Sequence, residues 1–358
     1  NVAVGGSALF SNTSGDYNTA SGYQAMYSNT SGEKNTASGY QAMYNTSGNY
    51  TTATGYRALY KNTSGYGNVA FGAEVLYNNT SGGYNTAIGG SSLYDNTTGN
   101  YNTAVGFSAL NNNTVGYSNS ALGRQSLYSN TTGDNNTAVG EAALYSSTTG
   151  GSNTAVGDNA LYNNTSGGNN IGVGKKALYQ STTAYHNVAI GTGALGGTNI
   201  TGMNYNTSNA STIDNSNNTA IGNYALLSND VGSDNTAVGF DALKQSDGDN
   251  NTAVGFRALT ENTSGEYNIG IGANALNENT TGNFNTALGY WAQSNYMNTD
   301  LENTIAIGFG AICDASNQAR IGNSSVTSIG GYANWSNVSD ARFKTNIKEN
   351  TPGLNFIN

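Results

Sequence analysis

The chain has 358 residues, 49 of them Gly and one Pro, with 9% charged residues and a formal net charge of −9. Leu, Ile, Val and Phe make up roughly 16%, under the level of about 20% that marks disorder, but the strong charge that accompanies disorder is missing. So little charge excludes a helical bundle, a coiled coil and a basic nucleic-acid binder; Gly without a three-residue period, and a single proline, exclude collagen.

Length alone would suggest two or three globular domains, but the chain is organised differently. An N-x-A-[VI]-G motif, with near variants such as N-T-A-S-G and T-T-A-T-G, starts at positions 1, 18, 35, 51, 68, 85, 102, 119, 136, 153, 170 and 187. It resumes at 218, 235, 251, 268 and 285, with a degenerate copy at Asn303–Gly308. The step is 17 residues, apart from two of 16 and one of 31. A full unit reads approximately N-T-A-V-G-x-x-A-L-Y-x-N-T-S-G-x-Y.

Seventeen residues are too few for a two-helix repeat or a propeller blade. Asn, Gly, Thr and Val oppose helix and favour short strands and turns. N-T-S-G and N-T-T-G are turn chemistry, because Asn and Gly tolerate positive φ and hydroxyls cap nearby backbone groups. The unit therefore predicts one coil of an all-β solenoid, with two short strands and two turns per coil. Each coil would pair its backbone with its neighbours about 4.8 Å away, so that 18 coils span roughly 85 Å.

The A-L-Y half of the unit predicts side-chain columns. Phe10, Tyr27, Tyr44, Tyr60, Tyr77, Tyr94, Tyr128, Tyr145, Tyr162 and Tyr179 form one. Leu9, Met26, Met43, Leu59, Leu76, Leu93, Leu110, Leu127, Leu144, Leu161 and Leu178 form another. Both read as core and flank in preference to a ligand-binding aromatic strip, with the Tyr hydroxyls left wet. In N-T-A-V-G, alternation along a strand sends Ala and Val to opposite faces. Val4, Val105, Val139 and Val156 are expected inside, and Ala3, Ala104, Ala138 and Ala155 outside, where a smooth Ala face would admit another chain.

Over roughly residues 1–325 the repeats resemble the heads of YadA-type trimeric autotransporter adhesins and the longer repeats of phage-type tail-fibre proteins. The resemblance implies a left-handed parallel β-roll with three chains to a head. YadA-type units are usually shorter, and here A-L-Y-x-N-T-S-G lengthens every coil. A lone solenoid or single-chain filament is the alternative to the homotrimer.

After a connector at 326–338, residues 338–348 read V-S-D-A-R-F-K-T-N-I-K. This is similar to the start of the intramolecular chaperone domain that follows many phage tail spikes, S-D-x-R-x-K-x-x-I, matched at Ser339, Asp340, Arg342, Lys344 and Ile347. The resemblance implies autoproteolysis just before Ser339, with Ser339 as nucleophile and Lys344 as its base, a neighbouring amine of lowered pKa being able to deprotonate a hydroxyl. Residues 339–358 would be the truncated start of that domain. The chain begins inside a repeat without an initiator Met, and is read as a piece of a longer one.

Sequons recur once per coil, at Asn12, Asn29, Asn45, Asn62, Asn79, Asn96, Asn130, Asn164, Asn262 and Asn279. They are glycosylation candidates, but stacked turn asparagines are the favoured reading. The long step makes 196–217 an insertion, and insertions in solenoids often carry recognition. His186 alone cannot build a multi-histidine metal site, and Cys313 alone cannot form an internal disulfide; His186 is expected to be solvated and Cys313 to be a small apolar rung residue. Lys175–Lys176 is too little for nucleic acid. No run of 18 apolar residues would span a membrane. No cofactor or metal is expected. Paired carboxylates for glycoside cleavage do not stand out. The expected role is a structural extracellular fibre or adhesin rod on a cell surface or virion, attaching to surfaces or to host glycans. The alternative is a self-processing tail fibre.

Overall fold

The computed structural model describes residues 1–197, 215–293 and 299–329. Asn1–Asn323 forms one compact unit and Ser324–Asn358 a second. The first is a parallel β-solenoid of about 18 turns, with no helix among the described residues.

Each coil contributes one three-residue strand, from β1 (Val2–Val4) through β5 (Val69–Phe71) to β19 (Ala319–Ile321), all in one 19-stranded sheet. Pairing is parallel and in register, so that Ala104 faces Ala121 and Ala121 faces Ala138. Among the described residues the expected second strand is absent: the A-L-Y half is a turn. It is still tied coil to coil, since the Leu9 N–H donates to the Ala25 carbonyl (3.0 Å) and the Ser11 N–H to that of Tyr27 (3.0 Å). The reason is conformational. Gln24 and Met26 have φ of 54° each, their equivalents are likewise left-handed coil after coil, and Tyr17 has 60°. Left-handed residues break an extended strand and cost about 1–3 kcal/mol each, tolerated only where packing fixes them. Here they wind the backbone tightly enough to turn each Leu or Met inward.

The interior reverses one expectation. The strand-centre Ala20, Ala104, Ala138 and Ala155 are 0% exposed, whereas Val4 is 61% and Val156 36% exposed, with Val105 and Val139 half-exposed. Alternation holds, but Ala is inside and Val outside; Ala3, in the first strand, is exposed. The coil is too narrow for a branched side chain at that point, because the space is filled by Leu or Met and by a second Ala column (Ala25, Ala42, Ala58). Met26, Met43 and Leu59–Leu178 of the predicted Leu column are fully buried, and Leu9 in the first coil packs against the core.

β12 (Val188–Ile190) pairs directly with β13 (Thr219–Ile221), so the stack continues across the long step. Of the expected insertion 196–217, residues 215–217 have already rejoined the coil: the Asn187 Nδ2 donates to the Asn215 carbonyl at 2.7 Å. Residues 198–214 lie outside the described part. β19 lies beyond the last expected repeat. Its signal was A-R-I-G at 319–322, a decayed motif set 14 residues after β18 (Ile305–Ile307).

Candidate functional site: the surface ladders

Two buried asparagine ladders shape the surface by fixing the coils. In the first, the Oδ1 of each motif Asn accepts from the backbone N–H of the next, as from Asn102 to Asn85 (2.9 Å) and from Asn119 to Asn102 (3.0 Å). Its Nδ2 donates forward to a turn glycine, as Asn102 does to the Gly116 carbonyl at 2.9 Å.

The second ladder is the sequon column. Asn79, Asn96, Asn113 and Asn130 each donate from Nδ2 to the preceding Asn Oδ1 at 2.7–2.8 Å and to their own turn glycine. Asn29, Asn62, Asn79, Asn96, Asn130, Asn164 and Asn262 are 0% exposed, Asn279 is 6%, and Asn12 in the first coil is half-exposed. The atom to which a glycan would attach is thus turned inward and hydrogen-bonded. Asn45 is not in the column; after the shortened step Thr46 takes the rung, accepting from the Asn62 Nδ2 at 3.2 Å.

The predicted aromatic column exists in two runs. Phe10 to Tyr94 stack at 5.1–5.2 Å, and Tyr128 to Tyr179 at 5.0–5.3 Å. Asn111 interrupts them. Because each ring covers its neighbour, the ladder turns ring edges to solvent. Burial first, then neighbouring rings, hold the Tyr44 and Tyr145 hydroxyls above the usual tyrosine range.

The outer face of the sheet is different. Neither its first nor its third strand position carries a charged residue in any of the 19 strands. From Phe71 in β5 to Ile321 in β19 the third position is always apolar: Ile88 is 42% exposed, Leu122 51% and Leu288 46%. Earlier coils carry Ser21, Ser38 and Thr54 there. Apart from Arg320 at the centre of β19, charges sit on the turns, where Arg124 pairs with Glu141, Lys175 with Asp158 (3.3 Å) and Lys244 with Asp241 (3.3 Å).

His186 lies exposed on a turn, as expected. Cys313 is buried, its thiol raised mainly by that burial. Among the described residues no three His, Cys, Asp or Glu gather where they could hold a metal ion, and no helix is long and apolar enough to cross a membrane. Ser339 and Lys344 lie outside the described residues.

These features define a β-solenoid repeat protein whose distinctive surfaces are an uncharged sheet face and aromatic turn columns. No family model matches the chain, and no curated protein matches it.

Proposed function

We propose that this chain is the rod of an extracellular fibre or adhesin, built by self-association through the outer sheet face and displayed on a cell surface or virion. One observation carries the reading: a stripe of exposed Val, Ile, Leu and Phe runs from Phe71 to Ile321 on a face without charge. Contiguous exposed apolar patches of this extent mark interaction surfaces. The stripe repeats with the coil, so the partner that matches it along its length is another copy of the same repeat. Three copies are favoured by the resemblance to trimeric adhesin heads. Sedimentation equilibrium tests this. A mass of three chains that falls to one when Leu122, Val139 and Val156 are replaced by Lys supports the assembly; a monomeric parent overturns it.

The second reading, self-processing, rests on the S-D-x-R-x-K-x-x-I match alone. Ser339 would act as nucleophile and Lys344 as base for a single cut before Ser339. Ser339→Ala in the full-length parent should leave the chain uncut on a denaturing gel. If parent and variant run alike, the reading fails.

A further inference from the structure

Not every aromatic ring is covered by a ladder neighbour. Tyr84 stacks on Tyr101 one coil on (5.2 Å, 10° between planes), so both planes lie across the solenoid axis. Tyr66 meets Tyr84 at 4.8 Å with 76° between planes, which turns the Tyr66 ring along the axis. It lies over Gly83, where a Cβ would stand only 3.3 and 3.4 Å from Cε1 and Cδ1 of Tyr66. The ring thus packs against the backbone of the next coil without a parallel aromatic neighbour on it, and Tyr66 is 45% exposed. Tyr185 repeats the device in the opposite sense. Its ring covers Gly168 (3.1 and 3.3 Å from a Cβ there), and its hydroxyl donates to the Ser166 carbonyl at 3.0 Å. Both tyrosines occupy the same position of the repeat, two residues before the motif Asn. The rings lean toward each other, over coils five apart, ~24 Å along the axis.

We propose that Tyr66 and Tyr185 are stacking platforms for a neutral β-linked glucose chain. This deepens the adhesin reading by naming a ligand class and a site. An aromatic face is electron-rich, and it attracts the polarised C–H groups of a sugar ring laid flat on it. A β-glucose ring has all its ring substituents equatorial, so its faces present only axial hydrogens, and a β-linked chain stays extended enough to run along a row of coils. The surroundings fit a neutral sugar. In the four coils around Tyr66 the two positions before the motif residue are Asn49, Tyr50, Tyr66, Gly67, Gly83, Tyr84, Asn100 and Tyr101, none of them charged. Between the platforms the same column presents half-exposed Tyr117 and Asp134, groups that can hydrogen-bond to sugar hydroxyls.

The test is a titration of the intact chain with cellohexaose and with maltohexaose, its α-linked counterpart, followed by NMR of the tyrosine ring signals. Cellohexaose is expected to shift the Tyr66 and Tyr185 rings and to bind more tightly than maltohexaose. Tyr66→Leu keeps an apolar side chain over Gly83 but removes the π face; it should weaken binding roughly fivefold or more, the size of one lost aromatic contact. Tyr77→Ala, in the closed ladder, should leave binding unchanged. No binding of cellohexaose, equal binding of both sugars, or an unaltered affinity in Tyr66→Leu and Tyr185→Leu would overturn the proposal. Sedimentation of the same variants keeps it distinct from the assembly reading, because neither tyrosine lies on the outer sheet face.

Discussion

The Nδ2 of Asn96 donates to the Oδ1 of Asn79, 17 residues earlier, at 2.7 Å, and neither side chain is exposed. The same nitrogen also reaches the Gly99 carbonyl at 3.1 Å. The amide thus joins two coils and closes its own turn. An asparagine can do both because its amide carries donors and an acceptor on one short stem.

Asn96→Asp should cost more than Asn96→Ser. The carboxylate loses both donors and sets a negative charge against the Asn79 oxygen, while Ser already occupies this column at Ser147 and Ser181. A buried oxygen left without its partner costs about 1–3 kcal/mol. Urea unfolding at neutral pH should place the aspartate variant below the serine variant.

Gly65→Ala should destabilise by about 2–3 kcal/mol, in the upper range for single substitutions. A Cβ there would lie 2.4 Å from the Gly82 carbonyl oxygen and 2.3 Å from the Asn62 Oδ1, so the turn and the ladder would both have to move. Thermal unfolding measures the loss; an unchanged midpoint would show that the coils are not in such close contact.

Ala138→Val and Val139→Thr test the inverted strand. Ala138 is enclosed, and overpacking costs about 1–3 kcal/mol. Val139 faces outward, so its replacement should change the stability of the isolated chain by about 0.5 kcal/mol or less. Denaturant midpoints that ranked the two the other way would restore the Val-inside arrangement.

Asp230 is held above the usual carboxylate range, chiefly by burial and secondarily by Asp247. Its folded pKa lies above its unfolded one, so stability is full below the unfolded value and declines as pH rises through the folded value. Asp230→Asn should therefore be more stable than the parent at pH 7 and show no advantage near pH 3. The raised hydroxyls of Tyr44, Tyr94, Tyr145 and Tyr179 carry the same sign, with stability lost above about pH 10. Stability scans across pH check both windows.

The sequon reading has its own measurement. Intact mass of the chain from its native source should equal the polypeptide mass at Asn29, Asn62, Asn79, Asn96, Asn130, Asn164 and Asn262, because each Nδ2 is buried. A glycan-sized increment mapped to any of them would mean that the column opens.

The stack is dictated by the repeat period. A 17-residue period carried over so many copies admits little except identical coils in register, because every residue must meet its own equivalent. The Leu column and the tyrosine stack follow from that alone, as does the ladder fate of Asn79 or Asn130. Which way each coil faces emerges only from packing. Alternation puts Ala and Val on opposite sides but is silent about which side is inner. That depends on the coil's width, and the width is set by left-handed residues such as Gln24 and Met26, whose side chains give no local sign of positive φ. The same holds for Tyr66: its place in the repeat was readable, but the vacancy over Gly83 that lays its ring flat exists only once two neighbouring coils are superposed.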